Sequence, residues 1–169
     1  MRRWLVTITS LAFLAFTLAL AEEHGKMESK SGDKPNHIML TGADLKWVEG
    51  PPSLPAGAKL AVIEGDPSQP GLFTMRLKLP ANYKVPAHWH PADEHVTVIS
   101  GSFLMGLGDK FDEKAPKELP PGGFAVMAIG TRHFAMSKEG GVVQVHGMGP
   151  WGINYVNPAD DPRLARPSK

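Results

Sequence analysis

Turn-forming residues interrupt this chain so often that no long helix fits between them. Gly50-Pro51-Pro52, Gly65-Asp66-Pro67, Pro120-Pro121-Gly122-Gly123 and Glu139-Gly140-Gly141 each mark a break, among 18 glycines and 16 prolines in 169 residues. Proline fixes φ and removes a backbone donor, while glycine supplies the left-handed conformations that tight turns need. The segments between the breaks predict strands at His37–Leu40, Leu45–Val48, Lys59–Glu64, Leu72–Leu79 and Glu94–Ile99. Further strands are expected at Ser102–Leu107, Phe124–Met127, Thr131–Ser137 and Val142–Met148. The clearest is the run from Phe73 to Leu79, where Phe73, Met75, Leu77 and Leu79 alternate with Thr74, Arg76 and Lys78, the period of a half-buried strand. One short helix is expected at Lys110–Ala115, ahead of Pro116. Short strands at even spacing over roughly 125 residues predict an all-β, antiparallel sandwich or barrel.

Both ends lie outside that pattern. Arg2 and Arg3 precede an apolar run from Trp4 to Leu20 that ends in Ala19-Leu20-Ala21, the order of a secretory signal peptide and its cleavage site. The alternative is a retained membrane anchor, for which the run is barely long enough and carries Thr7, Thr9, Ser10 and Thr17. Cleavage after Ala21 removes two positive charges and no acids, turning the formal net charge from +1 to −1. A periplasmic or secreted location is therefore expected, with no membrane contact once the signal is removed. Residues 22–36 are polar and read as a flexible leader. Residues 37–157 form the expected single domain, and residues 158–169 a tail.

Cysteine is absent. That excludes thiolate nucleophiles, cysteine zinc sites, iron–sulfur clusters and disulfides, so any metal must be held by histidine and carboxylate. Basic and acidic residues balance at 18 and 17 with no cluster of either, which argues against a nucleic-acid partner.

Histidine carries the chemistry. His88-Trp89-His90 puts two imidazoles on one face of a strand, because side chains two residues apart point the same way. Glu94 follows a turn containing Pro91 and brings a carboxylate back over that face, while His133 lies on a later strand. Three imidazoles and one carboxylate suit a single divalent transition metal: Fe, Mn, Ni, Cu or Zn. Four protein ligands on an octahedral ion leave two positions for a small-molecule substrate, water or dioxygen, whereas a structural site is more often closed.

The spacing His88-x-His90-x3-Glu94-x6-Gly101 is similar to the first motif of the cupin superfamily. Gly123-x4-Ala128-x-Gly130-x2-His133 resembles the second, with Ala128 where proline is usual and Ser137 at the last, variable position. Proline there stiffens a turn and holds no metal, so the ligand positions are untouched. The run from Gly65-Asp66 to Pro86-Ala87-His88 and the tail from Gly149-Pro150-Trp151 to Arg163 resemble small exported bacterial cupins related to the cupin domain of ChrR-type anti-sigma factors. The resemblance implies an RmlC-like jelly-roll barrel, an antiparallel double-stranded β-helix, with one metal in its mouth held by residues matching His88, His90, Glu94 and His133.

Lys138-Glu139-Gly140-Gly141 suits a hairpin between the last two expected strands. A two- or four-residue loop pairs Ala135 with Gln144 and His133 with His146, placing Gln144 and His146 beside the metal or its substrate. A three-residue loop with a bulge would instead turn His146 outward. In the first register Phe134, Met136, Val143 and Val145 share the opposite face and need cover, from the N-terminal strands or from the partner in a homodimer.

Open metal positions suit a metal-dependent oxidoreductase, most simply a dioxygenase, with Glu94 as a catalytic base when loosely ligated. Thiol dioxygenases are disfavoured, because the cysteine for their crosslink is missing. Oxalate chemistry would want a cationic anchor, yet Arg132 and Arg76 alternate away from the expected pocket. A non-catalytic metal- or ligand-binding module is the alternative, and an isomerase or lyase a third, since fold does not fix function.

Overall fold

The computed structural model describes residues 37–164, so the expected signal segment, the leader and the end of the tail lie outside the described residues. The strands in chain order are β1 (Val48–Glu49), β2 (Lys59–Glu64), β3 (Gly71–Leu79), β4 (Tyr83–Trp89), β5 (Glu94–Gly101) and β6 (Phe103–Leu107). They continue with β7 (Lys117–Leu119), β8 (Phe124–Met127), β9 (His133–Ser137), β10 (Gly141–Gly149) and β11 (Asn154–Tyr155). All pair antiparallel, in one sheet of order β1-β2-β3-β10-β5-β8 and another of order β11-β4-β9-β6-β7. From β3 onward the chain crosses between the sheets at every step except β6 to β7, as a jelly roll does. The two sheets are not hydrogen-bonded into a closed barrel.

Alternation decides which side chains meet. In β3, Phe73, Met75 and Leu79 point inward and are buried, and the ladder aligns Met75 with Val145 and Val145 with Val96. Val85, Met105 and Ala135 of the other sheet complete this core. At Ser102 the chain leaves β5 for β6 in the opposite sheet. Gly101 makes that corner at φ +76°, and a Cβ there would lie 2.1 Å from the carbonyl oxygen of Gly140. Its place in the first motif therefore has a steric cause.

Several expectations need correction. His37–Leu40 is not a strand: Ile38, Met39 and Leu40 are consecutive, exposed and paired with nothing, so they define no buried face. Leu45–Val48 is reduced to the two residues of β1. Lys110–Ala115 forms no helix, because the Asp112 carboxylate accepts from the backbone N of Lys114 at 2.9 Å, a local bond that competes with helical pairing. Strands β7 and β11, and the part of β4 before His88, were not anticipated.

The final hairpin does not exist. Strand β9 pairs with β4 and β6, whereas β10 lies between β3 and β5 in the other sheet. Val143 and Val145 therefore enter the core. Phe134 and Met136 are covered from outside within the same chain: Phe134 packs on Phe111 with ring centroids 5.1 Å apart. The apolar face expected to need a second subunit is already buried.

Candidate metal centre

Both sheets contribute to one end of the sandwich. His88 lies on β4 and pairs directly with His133, the first residue of β9. His90 follows β4 by one residue. The turn Pro91-Ala92-Asp93 then crosses to β5, whose first residue is Glu94. That turn is fastened to the second-motif turn: the Asp93 carboxylate accepts from the Ile129 backbone N at 2.7 Å, and Gly130 N donates to His90 O at 3.0 Å. Thr131 N donates to Ala128 O at 2.9 Å, so alanine keeps the turn that proline usually stiffens.

All four residues are buried, none more than 6% exposed. Each histidine spends Nδ1 on a backbone carbonyl: His88 on Pro86 O at 2.7 Å, His90 on Gly152 O at 2.7 Å, His133 on Thr131 O at 3.0 Å. A carbonyl only accepts, so each Nδ1 carries the proton and each Nε2 presents a lone pair. Those three imidazoles offer ligand atoms lying within 4.8 Å of one another. Glu94 approaches the same point, with Oε1 3.6 Å from His90 Nε2 and Oε2 3.3 Å from His133 Nε2.

Acceptors thus face acceptors in a dry place. Burial pushes His88 down to about 3, reinforced by His133 and His90, and burial also lowers His90. Burial alone would raise Glu94, but wherever a facing imidazole of His133 or His90 carries a proton at Nε2 it outweighs burial and holds the carboxyl below its ordinary range. His90 Nε2 and Glu94 Oε2 are buried with no hydrogen-bond partner. Orphaned acceptors of this kind are costly unless a cation lies among them. The donor set and its protonation therefore fit a divalent transition metal.

Trp151 is a residue that sequence reasoning left unassigned. Its indole stacks on His90 with centroids 4.3 Å apart and planes 19° apart. Its backbone N donates to Pro67 O at 2.6 Å. Only its proximity in sequence to Gly152, which holds His90, hints at the role.

Gln144 and His146 are not at this centre, contrary to expectation. With β10 between β3 and β5, Gln144 aligns with Arg76 and Thr97, and His146 with Thr74 and His95, all on the outer face. Arg76 Nε donates to Gln144 Oε1 at 3.2 Å, and His146 stacks on His95 with centroids 4.9 Å apart. Arg132 also faces away, paired with Asp109 at 2.7 Å.

The sequence matches the family model described as a domain of unknown function, DUF4437, over residues 21–153. The chain belongs to this family. No curated protein matches it. Solved structures give the DUF4437 member its fold. The polyketide cyclase RemF from Streptomyces resistomycificus is similar at a TM-score of 0.60 and 17% identity, covering 75% of this chain and 89% of that one. A protein proposed to be an acetylacetone dioxygenase, from Methylibium petroleiphilum PM1, gives 0.57 and 17%, covering 77% and 88%. An RmlC-like cupin from Shewanella frigidimarina NCIMB 400 gives 0.52 and 15%, covering 68% and 91%. At these identities the likeness concerns the fold, and the DUF4437 member has the RmlC-like cupin jelly roll.

Proposed function

We propose that this family member is an exported cupin in which His88, His90, Glu94 and His133 hold one divalent transition metal, and that it acts as a metal-dependent oxidoreductase of dioxygenase type on a small organic substrate. The observation that carries the reading is the convergence of three imidazoles and a carboxylate whose Oε2 has no hydrogen-bond partner in a buried pocket. When bound, a redox-active ion would supply Lewis acidity toward an oxygen donor and an electron path to dioxygen. The chain's own residues do the rest. The backbone carbonyls of Pro86, Gly152 and Thr131 orient the three imidazoles. Glu94, ionised and buried, accepts a proton at a carboxylate oxygen from an acidic O–H or C–H of the substrate. The surrounding apolar side chains exclude water from that transfer. That solved proteins of this fold include a cyclase and a proposed dioxygenase supports the reading.

Metal analysis of the purified protein by mass spectrometry, followed by oxygen uptake with phenolic and organic-acid substrates, tests it. Iron, nickel or copper with oxygen consumption is the expected result. Zinc with no turnover on any substrate would replace it with a module that holds a metal or ligand. Export predicts a periplasmic or secreted mature chain beginning at Glu22, read by N-terminal sequencing of the fractionated protein.

A further inference from the structure

Behind the histidines the sheets enclose a cavity of about 70 Å³. At roughly 30 Å³ per water, that is space for about two waters or a few carbon atoms. Met75, Leu77 and Val145 line it from one sheet, Val85 and Met105 from the other. Apart from the four site residues, its polar lining side chains are Ser53, Tyr83 and the indole of Trp151. The Tyr83 hydroxyl is already committed, donating to Pro55 O at 2.5 Å. Among the described residues, no lysine or arginine lines the cavity.

A guest's polar groups would therefore be repaid only at the histidine end. A carboxylate or polyol pushed into the deeper part would lose its hydration with no partner to replace it. Hydrocarbon would gain by the same transfer.

Trp151 bounds the histidine end of this space, stacked on His90. Together with Ser53 and Ile153 it lines both the cavity and an open outer groove that also includes Ser68, Met148 and Arg163. Its ring is braced between His90 and Phe73, at centroid distances of 4.3 Å and 5.6 Å. The indole is thus a partition between the inner space and the groove. Its Nε1 is buried without an acceptor.

We propose that the cavity receives the hydrocarbon end of a small organic molecule with a single polar end, of the class of short-chain ketones and alcohols. The inference rests on the proposed oxygen chemistry only in directing the polar end to the histidines; the selection itself belongs to the apolar lining. Sugars, polyols and dicarboxylates are excluded as substrates on the same ground.

Ligand-observed NMR titration of the full chain, as purified and after chelation, tests this with three probes of equal size: 2-butanone, propionate and 1,2-propanediol. Butanone is expected to bind saturably and at least about tenfold more tightly than either other probe in the chelated protein. Equal or reversed affinities there overturn the inference. Metal content separates the two readings. A chain that binds no metal but keeps the butanone preference supports the cavity assignment and removes the oxygen chemistry; a metal-loaded chain without the preference overturns the cavity assignment.

Discussion

His88 and His133 face each other across β4 and β9 as direct ladder partners, with ring centroids 4.2 Å apart. Two imidazoles this close in a dry site repel each other when protonated, which is one reason His88 resists a proton. Both belong to the group of three buried histidines that could hold a metal ion. Alanine at either position should lower metal affinity by more than about a hundredfold, and His88→Ala with His133→Ala should abolish stoichiometric binding by mass spectrometry. Full occupancy in the double variant would rule out this centre.

Acid should destabilise the metal-free protein well before its surface carboxylates titrate. Unfolded, His88 takes a proton near pH 6.5; folded, it holds off until about pH 3. Between those values the unfolded chain binds more protons, so stability rises with pH and falls as pH drops from about 6.5. His90, also depressed, acts in the same direction, and Glu94, held below its unfolded value of 4.5, adds a loss at lower pH. For His88 alone the loss across that window is on the order of 5 kcal/mol. Urea unfolding of the metal-free chain between pH 8 and pH 4 (from about 1.5 units above to about 2.5 units below the ordinary histidine value) reads the larger part of it; a flat profile contradicts the assigned burial.

His146 offers the converse experiment. Because it stacks on His95 on the outer face, His146→Gln should leave metal stoichiometry unchanged. A loss of metal comparable to that of the ligand variants would place His146 at the centre after all.

Gly106 shows how tightly β9 is held. A Cβ at Gly106 would lie 2.2 Å from the Phe134 ring, which is only 1% exposed. Gly106→Ala should cost about 1–3 kcal/mol by overpacking. Adding Phe134→Leu should recover part of that loss, because the two residues share one space. Additive losses in the double variant, read by denaturant unfolding, would contradict the contact.

What was legible in the sequence was local. His88, His90 and Glu94 are set by one strand and one turn, so spacing alone places them together. Long-range assignment was harder. Lys138–Gly141 has the length of a hairpin loop, yet the winding of the jelly roll sends β10 to the other sheet. The alternation of Val143 and Val145 with Gln144 and His146 held the correct answer, since an inward-facing row in a sandwich is apolar. Strand β4 was obscured by Pro86, which ordinarily counts against a strand. It sits where the β4–β9 register shifts between Val85 and His88, and its carbonyl receives the His88 Nδ1–H. Trp151 lies beyond β10 in an irregular segment, where neither period nor spacing marks a residue as facing the centre.

The carbonyls that orient the three histidines belong to the main chain at Pro86, Thr131 and Gly152. Every residue type carries that oxygen, so no single codon change can delete one of these acceptors. Ligand orientation is thereby insulated from ordinary sequence drift. Side chains around the histidines can be exchanged without removing these acceptors, for as long as the backbone path is kept.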